Sequence, residues 1–124
     1  MEFNNNRAIY LQIADIICEK IVLNVFREEE RIPSVREMAV MLEVNPNTVM
    51  RTFEFLQAKD VINNKRGIGY FVSKHGRQKA ADFKKEEFLQ NELPQLYKTI
   101  SLLNISFDEV KEMYLKYVQQ LNNK

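Results

Sequence analysis

Apolar residues recur three and four positions apart near the start of the chain. Ile9, Ile13, Ile16, Ile17 and Ile21 share one stripe, so the spacing predicts a first helix over about Tyr10 to Phe26. "FREEERIPS" then breaks the period, and Pro33 stops any continuation. Ser34 with Glu37 three residues later is a capping box, followed by an apolar face of Val35, Met38, Ala39 and Leu42. After a short "EVN" turn, Asn45 caps a third helix whose first residue is Pro46. Val49, Phe53 and Leu56 form its buried stripe, and it ends near Lys59-Asp60, where Asp can take the left-handed conformation.

The period changes in "VINNKRGIGYFVSK". Strand formers Val61, Ile62, Tyr70, Phe71 and Val72 flank "KRGIG", whose glycines permit a turn, so a β-hairpin is expected. Helical spacing returns from about Lys79, with Phe88, Leu89, Leu93, Leu96 and Ile100 on one side. Pro94 predicts a kink or a restart within that run. "SFDE", Ser106 to Glu109, is a second capping box. It opens a last helix with Val110, Met113, Tyr114, Tyr117, Val118 and Leu121 on one stripe.

These elements imply a mainly α fold with a small β-hairpin. Helix two, its turn and helix three make a helix-turn-helix, and the hairpin makes it winged. The expected organisation is a winged helix-turn-helix DNA-binding domain over residues 1–76 and a two-helix dimerisation tail over 77–124.

The third helix is apolar at its far end and polar, without acid, in its first turn. That is the pattern of a helix anchored at the rear and offered to a partner at the front. A helix start favours phosphate oxygens through its unpaired N–H groups and dipole. Asn47 suits adenine, Thr48 can present its methyl to thymine, and Arg51 can reach guanine or phosphate. Ser34 and Arg36 begin the preceding helix, and Lys65, Arg66 and the small Gly67 mark the hairpin tip, suited to a minor groove. Taken singly, each has a plainer role. Ser34 and Asn45 could be caps alone, Arg36 could pair with an acid, and the hairpin could merely cover a core edge.

The net charge of +1 is uninformative, but its distribution is not. Lys65, Arg66, Lys74, Arg77 and Lys79 lie in a stretch without Asp or Glu, and Val44 to Phe53 is likewise acid-free. Two such segments could form one duplex-binding face, although a basic loop can also be simply solvated. With 45% hydrophobic and 28% charged residues the composition is that of a globular chain. The apolar runs are too short to span a membrane, and "MEFNNNRAIY" lacks the apolar core of a signal peptide, so a cytoplasmic location is expected. The single cysteine, Cys18, excludes an intrachain disulfide and sits in an apolar helical segment. Together with the single His75 it offers no metal spacing, and no cofactor motif is present, so neither an enzyme nor a metal protein is expected.

"IPSVREMAVMLEVNPNTVMRTFEFLQAKDVINNKRGIGYFV" resembles the winged helix-turn-helix of the GntR family of bacterial transcription regulators, and "AIYLQIADIICEKI" resembles its first helix. The likeness covers roughly residues 8–74 and rests on P-S-x-R-E, N-P-N-T-V and G-x-G-Y-F-V. The short helical tail is similar to the YtrA-type subfamily. The resemblance implies a homodimeric repressor, often of membrane-transporter or stress operons, paired through its C-terminal helices. It also implies that Ser34 and Arg36 contact phosphate or bases. Asn45, Asn47 and Thr48 would sit at the recognition-helix entrance, with Arg66 and Gly67 at the wing tip. The chain departs from the pattern at Glu43 and Asp60, where relatives often carry Gly, and at Met50, where many carry Arg; Arg51 is the candidate substitute.

The tail gives its own reason to pair. Its last stripe has six apolar side chains, each worth roughly 1.5–3 kcal/mol if fully buried, and one short partner helix does not cover both this stripe and Leu89, Leu96 and Ile100. A twofold dimer would, and it calls for a near-palindromic double-stranded DNA operator. The alternatives are a tail folded back on its own winged domain, and a winged helix that binds protein without specific DNA binding. The tail shows no ligand site of its own; a pocket where two tails meet would be the place for an unidentified small-molecule effector.

Overall fold

The computed structural model describes residues 3 and 7–123. The leader expectation for the first ten residues rests in part on residues outside them. The chain divides into two compact units, Met1–Glu86 and Glu87–Lys124.

In the first unit α1 spans Ile9–Val22, α2 Val35–Leu42 and α3 Pro46–Ala58, followed by strands β1 (Ile62–Lys65) and β2 (Gly69–Val72) and then α4 (Gly76–Glu87). Helix α1 stops four residues short of the expected Phe26, because Asn24 turns left-handed at φ 60°. Its buried stripe is Ile13, Ala14, Ile17, Cys18 and Ile21 rather than the expected row of isoleucines; Ile9 is exposed at the helix start and Ile16 half-buried. Burial pushes the Cys18 thiol up to about 12, with the nearby Asp15 charge adding to the rise, so the thiol is an inert core side chain.

Helices α2 and α3 begin and end as their sequences dictate. Left-handed Glu43 (φ 56°) closes α2 and left-handed Asp60 (φ 59°) follows α3, so both turns are made without glycine. Met38, Ala39 and Leu42 of α2 meet Val49, Phe53 and Leu56 of α3 in one core with the α1 stripe, Ile32, Val61, Ile62 and Val72. The α3 stripe also includes Thr52, fully buried, whose hydroxyl donates to the Tyr10 carbonyl at 2.8 Å and so ties α3 to α1.

The hairpin pairs Ile62 with Val72 and Lys65 with Gly69 in antiparallel register. It has an unexpected neighbour. The acidic connection between α1 and α2 runs along the other edge of β2, with Glu29 and Ile32 N–H groups donating to the Val72 and Tyr70 carbonyls at 2.8 and 2.9 Å. Helix α4 then returns to the core through Ala80 and Phe83 and is pinned by a Lys84–Asp15 ion pair at 3.1 Å. Most of α4 therefore lies in the winged unit, and the division falls later than the expected boundary at residue 76.

In the second unit a π-helical turn, Phe88–Glu92, precedes α5 (Leu93–Leu102), and α6 spans Phe107–Asn122. The expected interruption at Pro94 is this restart: Pro94 is the second residue of α5, and the widened turn before it accommodates the ring and the missing N–H. Ser106 caps α6 by accepting the Glu109 N–H at 3.2 Å, one half of the expected capping box. No residue from the π-helical turn through α6 is buried.

Candidate nucleic-acid interface

Asn45 and Pro46 set the start of α3. The Asn45 side-chain oxygen accepts the Asn47 N–H at 2.8 Å, and the Asn45 carbonyl accepts the N–H groups of Thr48 and Val49 at 3.0 and 3.3 Å. Pro46 has no N–H. The first turn therefore has no free amide, which changes the expected chemistry: the dipole remains, but any contact to a ligand here falls to side chains. Asn47 and Arg51 are exposed and Thr48 is half-buried. The three line one open depression of about 330 Å³ with Ala8, Ile9 and Tyr10 from the start of α1.

Helix α2 begins differently. Its capping box is complete, with Ser34 Oγ accepting the Glu37 N–H and the Ser34 N–H donating to Glu37, both at 3.1 Å. The Ser34 backbone N–H, and then its hydroxyl, hold the Glu37 carboxyl below its ordinary value. Ser34 Oγ thus both accepts the Glu37 N–H and bonds its carboxylate, so the cap engages the hydroxyl in both roles. Arg36 is exposed and has no ion pair among the described residues.

At the hairpin tip Lys65, Arg66 and Gly67 are all exposed. Gly67 takes φ 79°, and the Lys65 ammonium lies 4.3 Å from the Phe71 ring centroid. A Cβ on Gly69 would meet Arg31 Nε at 2.8 Å, so glycine makes room for this side chain against β2. Sequence reasoning missed Arg31, because the signal is a backbone pairing rather than a side-chain pattern. The exposed face of α3 meets the wing where the Tyr70 hydroxyl lies 4.0 Å from Met50 Sδ, and Phe53 and Tyr70 pack edge to face at 4.8 Å.

The expected basic stretch after the hairpin divides in two. Lys65 and Arg66 are at the tip, whereas Lys79 pairs with Asp60 at 2.5 Å and Arg77 Nε donates to the Val22 carbonyl at 3.0 Å. The latter pair serves the fold. Among the described residues there is no cluster of metal-ligating side chains and no helix long and apolar enough to cross a membrane.

A capped helix with an exposed polar start, a second helix packed behind it and a basic hairpin alongside define a winged helix-turn-helix DNA-binding protein. Residues 9–72 match the family model described as bacterial regulatory proteins, gntR family. The chain belongs to the GntR family of transcription regulators, in its YtrA-type subfamily. It is 32% identical over 111 residues to the uncharacterized HTH-type transcriptional regulator YhcF of Bacillus subtilis, covering 90% of each chain. It is 26% identical over 104 residues to the HTH-type transcriptional repressor YtrA of the same organism, covering 84% of this chain and 79% of YtrA. The crystal structure of a GntR-family regulator from Bacteroides thetaiotaomicron is 47% identical, covers 92% of this chain and 99% of that one, and superposes with a TM-score of 0.72. These relatives make the chain a DNA-binding regulator rather than an enzyme.

Proposed function

We propose that the protein is a cytoplasmic homodimeric repressor that reads a near-palindromic operator of a small, transporter-type operon. The observation that carries this reading is the start of α3: Asn47, Thr48 and Arg51 share one open depression while Val49, Phe53 and Leu56 are buried behind them. Asn47 and Thr48 meet base edges, and Arg51 supplies the bidentate contact that Met50 cannot make. Ser34 and Arg36 at the start of α2 and the Asn45 side-chain amide hold phosphate, and Lys65, Arg66 and Gly67 lie along the minor groove. Repression is supported by the name of the YtrA relative.

The tail pairs with a second copy through Leu89, Leu96, Ile100, Val110, Met113, Tyr114, Tyr117, Val118 and Leu121. The support is exposure: Met113 and Tyr117 are 65% and 58% exposed, and α5 and α6 are not closely packed on one another. We assign a small-molecule effector to the same paired surface.

Footprinting on the DNA just upstream of the encoding gene tests the DNA reading. A protected inverted repeat, weakened by salt, is expected; indifference to DNA would leave a protein-binding winged helix. Sedimentation tests the pairing. Twice the 14.7 kDa chain mass is expected, and a concentration-independent monomer would end the dimer reading.

A further inference from the structure

Tyr10 stands beside the proposed DNA contacts and is fixed from three directions. Its carbonyl accepts the buried Thr52 hydroxyl at 2.8 Å. Its ring meets Phe55 edge-on with centroids 5.9 Å apart, and Phe55 in turn meets Phe83 at 5.5 Å, so the ring rests on the core. The Arg51 guanidinium carbon lies over the ring, 4.0 Å from its centroid. Tyr10 and Arg51 also line the same depression as Asn47 and Thr48.

A guanidinium held over an aromatic ring keeps its N–H donors at its edge, in a plane set by the ring. Among the described residues no carboxylate pairs with Arg51. An exposed arginine would otherwise wander among rotamers and lose that freedom on binding. Here the guanidinium is held over the ring before any ligand arrives, and it is held from α1, outside the helix-turn-helix.

We propose that Tyr10 is a positioning residue for DNA recognition, holding Arg51 so that its donor edge faces the duplex beside Asn47 and Thr48. This rests on the reading of Arg51 as a DNA contact. Tyr10 touches the DNA only through Arg51, so its substitution acts on sequence-specific binding and not on general attraction to phosphate.

The test begins with selection of preferred duplexes from a random-sequence pool by the full-length protein. Affinities for the enriched duplex and for a mixed-sequence duplex are then measured for wild type, Tyr10→Phe, Tyr10→Leu, Arg51→Ala and the Tyr10→Leu/Arg51→Ala pair. Tyr10→Leu is expected to weaken binding to the enriched duplex about two- to fivefold, as loss of an exposed cation–π contact does. Binding to the mixed duplex stays unchanged, Tyr10→Phe stays near wild type, and Tyr10→Leu has no further effect once Arg51 is alanine. Equal loss in both Arg51 backgrounds, equal loss on both duplexes, or no loss at all would overturn the proposal. Tyr10→Met, a flexible apolar filler, replaces Tyr10→Leu if thermal melting finds the leucine variant unfolded. Failure to enrich any sequence would instead overturn the DNA-contact reading, and this inference with it.

Discussion

The two units spend their apolar side chains differently. In the winged unit Ile13, Ile17, Ile21, Met38, Val49, Phe53, Leu56, Ile62 and Val72 are fully buried, and no buried side-chain nitrogen or oxygen among the described residues lacks a partner. In the tail, helices of comparable amphipathic pattern bury nothing, and Leu102 is 81% exposed. Amphipathic spacing thus states that a face needs covering, not what covers it. The winged unit closes its core with its own chain; the tail leaves its apolar faces uncovered, which is the surface the proposed pairing uses.

The sharpest contrast comes from Phe53→Ala. It leaves a cavity in a closed core and removes the Tyr70 ring contact, so denaturant unfolding should show a loss of about 3–5 kcal/mol. Met113→Glu with Tyr117→Glu should do the reverse. The winged unit keeps its melting behaviour while sedimentation shifts from dimer to monomer; an unchanged mass would remove α6 from the interface. Arg51→Ala should cost roughly 1–3 kcal/mol on the operator and little on other DNA if it reads a base. Equal loss on all sequences would make it a phosphate contact.

Lys65→Ala and Arg66→Ala should act through salt. Each phosphate contact removed should lower the slope of log K against log salt by about 0.9, and unchanged slopes would take the wing out of the interface. The smallest effect concerns pH. The Lys79 hydrogen bond and charge hold the exposed Asp60 carboxyl below its ordinary value. A depressed folded value means a contribution that is present near neutrality and lost as pH falls through that value. Asp60→Asn should therefore flatten the acid limb of a melting-temperature profile and leave its slope near neutrality unchanged.

Much of the winged unit was legible because its signals are local. Ser34 with Glu37, Asn45 with Pro46, and the Val49, Phe53, Leu56 stripe each announce an element through neighbours in sequence. What escaped depends on pairing across the fold. Glu29 and Ile32 flank β2 through backbone groups that no side-chain period reports. Thr52 reads as a polar interruption, yet it is buried because the Tyr10 carbonyl meets its hydroxyl. The free amides expected at the start of α3 are absent for a related reason: the cap that marks the helix so clearly also occupies them. The basic stretch divided because Lys79 and Arg77 found partners that sequence does not place beside them.

That occupied first turn separates how α3 is built from what its side chains present. Asn45 and Pro46 define the helix entrance through a side-chain oxygen, a backbone carbonyl and a proline ring, so the side chains at positions 47 and 48 can change identity without removing the cap. If α3 meets DNA as proposed, a duplicated copy acquires a new DNA address through one or two substitutions while its architecture stays the same.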